Sequence, residues 1–289
     1  MAHYHKTWGT SANFLYSWVI SLENAKKIYP RTELYTDDEG KELLINKLGL
    51  VFSGVYTTLN ALKDHDADFW ATGKLYTYRQ QNEPFIHLDN DVFLWKRLPD
   101  RLNAADIIVQ NPEYFEYGSY HTCYHPNKAN ISINATKGWI PEEWEWYTRM
   151  QGGKALNCGI FGGNRIDFIR HYADTAIRFI ENNQEAWAYY SNRLNQKISC
   201  NNHLFEQYML GAMIDYHHNN PEKTKFSNIN VEPLFYLEQD AYNSNIARDI
   251  GYTHLLGEIK RNDEVMHRME TRIKKDYPDF FYKCNTLLV

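Results

Sequence analysis

An α/β fold, with a mixed but mostly parallel sheet flanked by helices, is predicted by three features of this chain. Short apolar runs alternate with longer helical patterns through residue 92, the order that builds parallel strands through helical crossovers. Carboxylate pairs, Asp37-Asp38 and Asp89-x-Asp91, fall at the ends of two of those runs, where such folds keep their ligands. No internal repeat, low-complexity tract or linker interrupts the 289 residues. They are therefore expected to form a single two-lobed domain, divided into halves at 1–106 and 107–289.

The elements follow in order. Residues 3–8 read as a short strand and Gly9-Thr10-Ser11 as the loop after it. Residues 12–28 read as a helix with Phe14, Val19, Ile20 and Leu22 on its apolar side, stopped by Pro30. Thr32–Tyr35 is predicted as a strand, residues 36–40 as a turn, 41–48 as a helix and 50–52 as a strand. A helix over 69–79 then leads into a strand over 84–88, whose polar end is Asp89. The second half is less regular. Residues 107–135 read as strands and loops, 156–161 and 231–237 as strands, and 251–256 as short and ambiguous. Helices are expected near 164–182, 202–215 and 262–276, the last ending before Pro278.

Composition excludes several functions. A formal net charge of -5, with Lys and Arg dispersed, argues against a protein that binds nucleic acid by neutralising phosphates; the richest basic stretch is Lys260–Lys283. The four cysteines form no C-x-x-C pair, which argues against a zinc knuckle and fits a reducing compartment. No secretory leader or membrane-spanning run is read, so a cytoplasmic place is expected, with the inner membrane face as the alternative for a peripheral protein. The sequons at Asn130 and Asn134 are read as accidental in an Asn-rich chain. Aromatics make up 15% of the residues. Tyr and Trp suit carbohydrate, since each joins a flat apolar face to a polar tip; an aromatic-rich core explains them equally well.

The strongest chemical feature is Phe85-Ile86-His87-Leu88-Asp89-Asn90-Asp91. Two carboxylates at the end of an apolar strand can hold one divalent ion, and hard oxygen ligands suit Mg²⁺ or Mn²⁺. Such an ion neutralises a departing diphosphate. A second D-x-D, Asp64-His65-Asp66, precedes a helix, where capping accounts for it. The late segment His254-Leu255-Leu256-Gly257-Glu258-Ile259-Lys260 offers a third ligand in His254, close backbone approach to phosphate at Gly257 and positive charge at Lys260. Taken alone, it reads as a strand end with a surface lysine.

Together these two segments resemble the retaining GT-A glycosyltransferases of the glycogenin and bacterial lipopolysaccharide galactosyltransferase family, with the chain as a whole nearest a bacterial branch. In that family a D-x-D and a late H-x-x-G-x-x-K close around Mn²⁺ and a nucleotide diphosphate. Trp8-Gly9-Thr10 is similar to the family's nucleotide loop, Gly73-Lys74-Leu75 to its T-K-L segment, Asn157-Cys158-Gly159 to its N-x-G strand and Glu206-Gln207 to its Asp-Gln pair. The resemblance spans about residues 3 to 262.

It implies a Rossmann-like GT-A fold, a nucleotide-sugar-binding half at 1–106 and an acceptor-side half at 107–289. Asp89, Asp91 and His254 would hold the metal. Thr10, Asp37, Lys74, Asn90, Asn157, Gly159, Gly257 and Lys260 would bind the donor, a uridine diphosphate sugar first, and Glu206 and Gln207 would flank the reacting centre. The acceptor is left open among glycan, lipid-linked and protein hydroxyls. The chain departs from the pattern in having Arg261-Asn262 after the lysine, Glu206 for Asp, and an unmatched Trp139–Trp146 segment.

Rival readings are an inverting transferase with Glu206 as general base, a non-catalytic nucleotide-sugar-binding protein and, more weakly, a nucleotidyltransferase. His121-x-x-x-His125 reads as a loop rather than a metal pair, and His217-His218 as a structural helix end. Gly152-Gly153 and Gly162-Gly163 read as points of close backbone approach to a sugar.

Overall fold

A computed structural model describes residues 7–66, 68–119, 121–193 and 199–287; most of the strand expected over 3–8 lies outside them. The helices are α1 (Ser11–Ile28), α2 (Asp38–Lys41), α3 (Ala71–Gln80), α4 (Pro126–Ala135), α5 (Glu142–Arg149), α6 (Ile166–Glu181), α7 (Gln184–Arg193), α8 (Ser199–His203), α9 (Met209–Asn219), α10 (Glu238–Tyr242), α11 (Ser244–Ile250), α12 (Asp263–Asp276) and α13 (Pro278–Thr286). The strands are β1 (Glu33–Tyr35), β2 (Gly54–Tyr56), β3 (Phe85–Leu88), β4 (Val92–Leu94), β5 (Ile107–Val109), β6 (Pro112–Tyr114), β7 (Lys154–Leu156), β8 (Ile160–Gly163), β9 (Val231–Pro233) and β10 (Tyr252–His254).

The fold is mixed α/β, with small mixed sheets rather than one broad parallel sheet. β1 runs parallel to β2 and β5 parallel to β9, while β5–β8, β6–β7 and β4–β10 pair antiparallel. The chain divides into two compact units, one of residues 1–64, 88–98 and 244–289, the other of 65–87 and 99–243.

The first unit is organised on α1. Thr10 caps it, its hydroxyl accepting from the Asn13 N–H at 3.1 Å. At the other end Tyr29, held extended before Pro30, ends the helix. Phe14, Val19, Ile20 and Leu22 are buried as the periodicity predicts, against Phe93, Leu255, Met266, Met269 and Ile273. α1 thereby packs on β4, α12 and α13.

One strand is displaced. Residues 50–52 form no ladder, and the partner of β1 is β2, at Gly54–Tyr56. Leu50 is buried for packing, whereas Val51 is 66% exposed; apolar character alone did not fix the register.

The second unit has a four-stranded sheet in the order β3-β8-β5-β9. α3 packs on α6 and α5 on α9. Its core is aromatic: Trp144, Trp187, Tyr78, Tyr172, Tyr208, Phe161, Phe168, Phe179 and Phe205 are fully buried. Trp144, from the segment without a family counterpart, stacks obliquely on Phe179 at 4.8 Å and meets Tyr208 edge-on at 4.9 Å. Its indole N–H donates to Asn130 at 2.7 Å. A side chain of this size buries roughly 150–250 Å², worth on the order of 5 kcal/mol of transfer free energy. Burial thus accounts for much of the aromatic content.

Helices α4 and α5 lie where the sequence suggested loops or gave no assignment. Pro126 and Pro141 look like breakers, yet Pro126 occupies the first turn of α4 and Pro141 the N-cap of α5, positions where a missing N–H costs nothing.

Candidate functional site

In the first unit, two segments remote in sequence meet through one short ladder. β4 and β10 pair antiparallel with His254 opposite Val92, and the Leu255 N–H donates to the Asp91 carbonyl at 3.0 Å. A tight turn, closed by the Val92 N–H donating to the Asp89 carbonyl at 3.0 Å, carries the D-x-D. The Asn90 amide donates to the Ser17 hydroxyl at 3.0 Å and ties that turn to α1.

The result gathers the predicted metal ligands. One ligand atom from each of Asp89, Asp91 and His254 lies within 4.8 Å of the others. His254 Nε2 is 3.3 Å from Asp91 Oδ1, and the Lys260 ammonium lies against Asp91 Oδ2. Burial would raise the Asp91 carboxyl, but His254 and Lys260 outweigh it and hold the group below the usual carboxylate range. Asp91 is therefore held in its ionised form although it is only 5% exposed. Two carboxylates and an imidazole form a donor set that fits Mn²⁺ or Mg²⁺.

The late motif continues into a 3₁₀ turn, Gly257–Arg261. Gly257 has φ +52, and nothing lies within 4 Å of where its Cβ would be, so its backbone faces open space. The Gly9 N–H donates to the Lys260 carbonyl at 3.1 Å, and the Lys260 ammonium sits 5.6 Å from the Trp8 ring centre. The first loop and the late motif are thus neighbours. Thr10 and Asp37, expected on the donor, both serve as helix caps; Asp37 accepts from the Gly40 N–H at 2.6 Å.

In the second unit, six remote segments converge. Lys74 on α3 lies 2.7 Å from Glu206 Oε1 and donates to the Cys158 carbonyl at 3.3 Å. Tyr78 donates to the same carboxylate oxygen at 3.1 Å, and Tyr172 to the Glu206 backbone carbonyl at 2.8 Å. The Asn157 side chain accepts from the Gly159 N–H at 3.0 Å and donates to Glu113 at 2.7 Å. The Tyr124 hydroxyl sits between the Glu113 carboxylate and the Gln207 side-chain amide.

Glu206 and Gln207 lie on a π-helical turn, Leu204–Tyr208, between α8 and α9, a distortion common at functional sites. Lys74, Asn157, Gly159, Glu206 and Gln207 are therefore one cluster. Glu113, Tyr78 and Tyr124 belong to it too; no local motif marked them. Burial, then Glu113, pushes the Tyr124 phenol well above its usual range, so it stays a hydrogen-bond donor.

The profile of a family of unknown function, DUF6734, matches residues 1–287. The chain belongs to DUF6734. Comparison with curated proteins and with solved structures gives no match.

Several sequence expectations for this DUF6734 chain need correction. A Cβ on Gly162 would lie 2.0 Å from the Phe85 carbonyl, and one on Gly163 2.2 Å from the Asp106 carbonyl. These glycines admit neighbouring backbone of the same unit, not a sugar. Gly153 likewise admits the Phe115 carbonyl, at 2.2 Å, and Gly152 the Tyr147 ring.

The Asp64-x-Asp66 pair does not cap α3, whose N-cap position is Trp70. Asn202 accepts from the Ala71 N–H instead, at 2.9 Å, while Asp66 accepts from the Asp68 N–H at 2.9 Å within the preceding turn. His121 and His125 lie in the loop before α4, as expected. His217 and His218 end α9, but they part ways. Of the two, only His218 is hydrogen-bonded, through Nε2 to the Ile229 carbonyl at 2.8 Å.

Proposed function

We propose that this chain is a metal-dependent glycosyltransferase of GT-A type that moves a sugar, with retention, from a nucleotide sugar to an acceptor hydroxyl. A uridine diphosphate sugar is the favoured donor. The observation that carries the reading is the convergence of Asp89, Asp91, His254 and Lys260 through the β4–β10 ladder. A binding protein has no need of a leaving-group clamp with two carboxylates, an imidazole and an ammonium together.

Asp89, Asp91 and His254 would hold Mn²⁺ or Mg²⁺, which supplies Lewis-acid neutralisation of the diphosphate. Lys260 adds a charge-assisted hydrogen bond to the same leaving group, and Gly257 lets backbone approach it without a side chain in the way. Asn90 braces the D-x-D turn against α1, which limits its motion as charge develops. Trp8 and Thr10, on the loop bonded to Lys260, are assigned to the nucleoside.

In the second unit, the family likeness assigns Lys74, Asn157, Gly159 and Gln207 to the donor sugar. Glu206 is a positioning residue: fully buried and paired with Lys74 and Tyr78, it is poorly placed to take a proton from an acceptor. This argues against the inverting alternative with Glu206 as general base.

Calorimetry tests the reading. Uridine diphosphate should bind with Mn²⁺ and bind far more weakly without it, and a screen of uridine, guanosine and cytidine diphosphate sugars should show metal-dependent hydrolysis. Equal nucleotide binding with and without metal would sink the reading.

A further inference from the structure

We infer that Glu143, His171 and His217 form a second metal site, selective for a borderline transition ion such as Zn²⁺ and separate from the D-x-D. The three residues come from α5, α6 and α9 of the second unit, and one ligand atom from each lies within 4.8 Å of the others. His171 Nε2 is 3.4 Å from Glu143 Oε1. That is close to the ~3.3 Å edge of a tetrahedron built on metal–ligand bonds of about 2.0–2.1 Å, so these two atoms are already spaced as ligands of one ion.

His217 supplies the independent observation. It is 4% exposed, and neither ring nitrogen has a hydrogen-bond partner. A buried imidazole with two unanswered nitrogens is costly. Its surroundings are rings: Phe168 at 5.9 Å, Phe226 at 5.4 Å, Tyr216 at 5.3 Å and His171 at 5.5 Å between centres. Phe226 also stacks on His171 at 5.4 Å. These rings fix the two imidazoles without offering either a strong acceptor. His218, next in sequence, already has the Ile229 carbonyl, so the two histidines have different tasks.

The donor types set the selectivity. Two imidazoles and one carboxylate favour Zn²⁺, Co²⁺ or Ni²⁺ over Mg²⁺, unlike the oxygen-rich Asp89–Asp91 pair. Glu143 sits in the first turn of α5. Three protein ligands, with the His171 side chain 38% exposed, would make this an exchangeable rather than a closed structural site. Such an ion would join α5, α6 and α9. The inference does not depend on the transferase reading.

The test uses the full chain, stripped of metal by a chelator and titrated with Co²⁺, followed by its visible ligand-field absorption. Wild type should give a saturable band that Zn²⁺ abolishes by displacement. His171→Ala should lose the band or weaken Co²⁺ binding at least about tenfold, as should His217→Ala. Asp89→Asn should retain the band. His171 is partly exposed, so its variant should fold even where His217→Ala does not, and circular dichroism checks both. No saturable band in wild type, or an unchanged band in folded His171→Ala, overturns the site. So does a band lost in Asp89→Asn but kept in His171→Ala.

Discussion

The Lys260 ammonium is held against a carboxylate, Asp91, that is 5% exposed, while His254 approaches the other oxygen of the same group at 3.3 Å. All three lie in the first unit, brought together by a ladder in which Tyr252, Thr253 and His254 pair with Leu94, Phe93 and Val92. Asp91 is thus met on both carboxylate oxygens by groups more than a hundred and fifty residues away in sequence.

Lys260→Gln is expected to weaken uridine diphosphate binding in Mn²⁺ by roughly 10- to 100-fold, the value of one hydrogen bond to a charged group, about 1.5–3 kcal/mol. Stability should fall as well, because the buried Asp91 keeps only His254 as a partner. Calorimetry on the variant gives the ratio; an unchanged affinity takes Lys260 off the diphosphate.

The D-x-D was legible because Asp89 and Asp91 are an abrupt polar end to an apolar strand, and α1 was legible because its apolar spacing and Pro30 leave little choice. His254 was a candidate by residue type, but only the resemblance paired it with the D-x-D: nothing local in Tyr252-Thr253-His254 says that its strand pairs with Val92–Leu94. Glu113 and Tyr124 escaped notice for the same reason, since long-range convergence leaves no motif. Helix α4 was missed because Asn, Ser and Ile are indifferent helix formers and Pro126 reads as a breaker until it is seen at the first turn. His217 was read as a helix end; its neighbours Glu143 and His171 belong to other helices.

Gly162→Ala should damage folding rather than ligand binding. Its φ is +152 and the new Cβ would meet the Phe85 carbonyl at 2.0 Å, combining backbone strain with overpacking, together on the order of 2–6 kcal/mol. Gly257→Ala, with φ +52 but open space around it, should cost only about 1–2 kcal/mol. Urea unfolding of the two variants should separate them; equal losses would mean that the Gly162 contact relaxes freely.

Among Cys123, Cys158 and Cys284, thiol reactivity should rank Cys123 first. It is exposed, whereas Cys158 and Cys284 are buried, and burial pushes the Cys284 thiol up to about 12. At pH 8 a group with that pKa is ionised at roughly one part in ten thousand, and the thiolate is the reactive form. Iodoacetamide followed by peptide mass spectrometry should find Cys123 modified in the native chain, and Cys158 and Cys284 only in denaturant. Rapid native labelling of Cys284 would mean that the α13 end of the first unit opens readily.

Glu206→Gln distinguishes a positioning carboxylate from a catalytic base. Glu206 is fully buried, and its Oε1 meets the Lys74 ammonium at 2.7 Å and accepts from Tyr78 at 3.1 Å. Removing the charge leaves the Lys74 ammonium, on a side chain only 13% exposed, without its carboxylate, so stability should fall by about 3–5 kcal/mol. Adding Lys74→Met to Glu206→Leu removes both charges at once and should recover much of that loss, because an apolar pair of similar volume carries no desolvation penalty. Activity should not return with stability, since Lys74 is assigned to the donor sugar. Urea unfolding of the single and double variants, set beside donor hydrolysis with Mn²⁺, gives both readouts. A Glu206→Gln protein as stable as wild type yet inactive would instead make Glu206 the general base and restore the inverting mechanism.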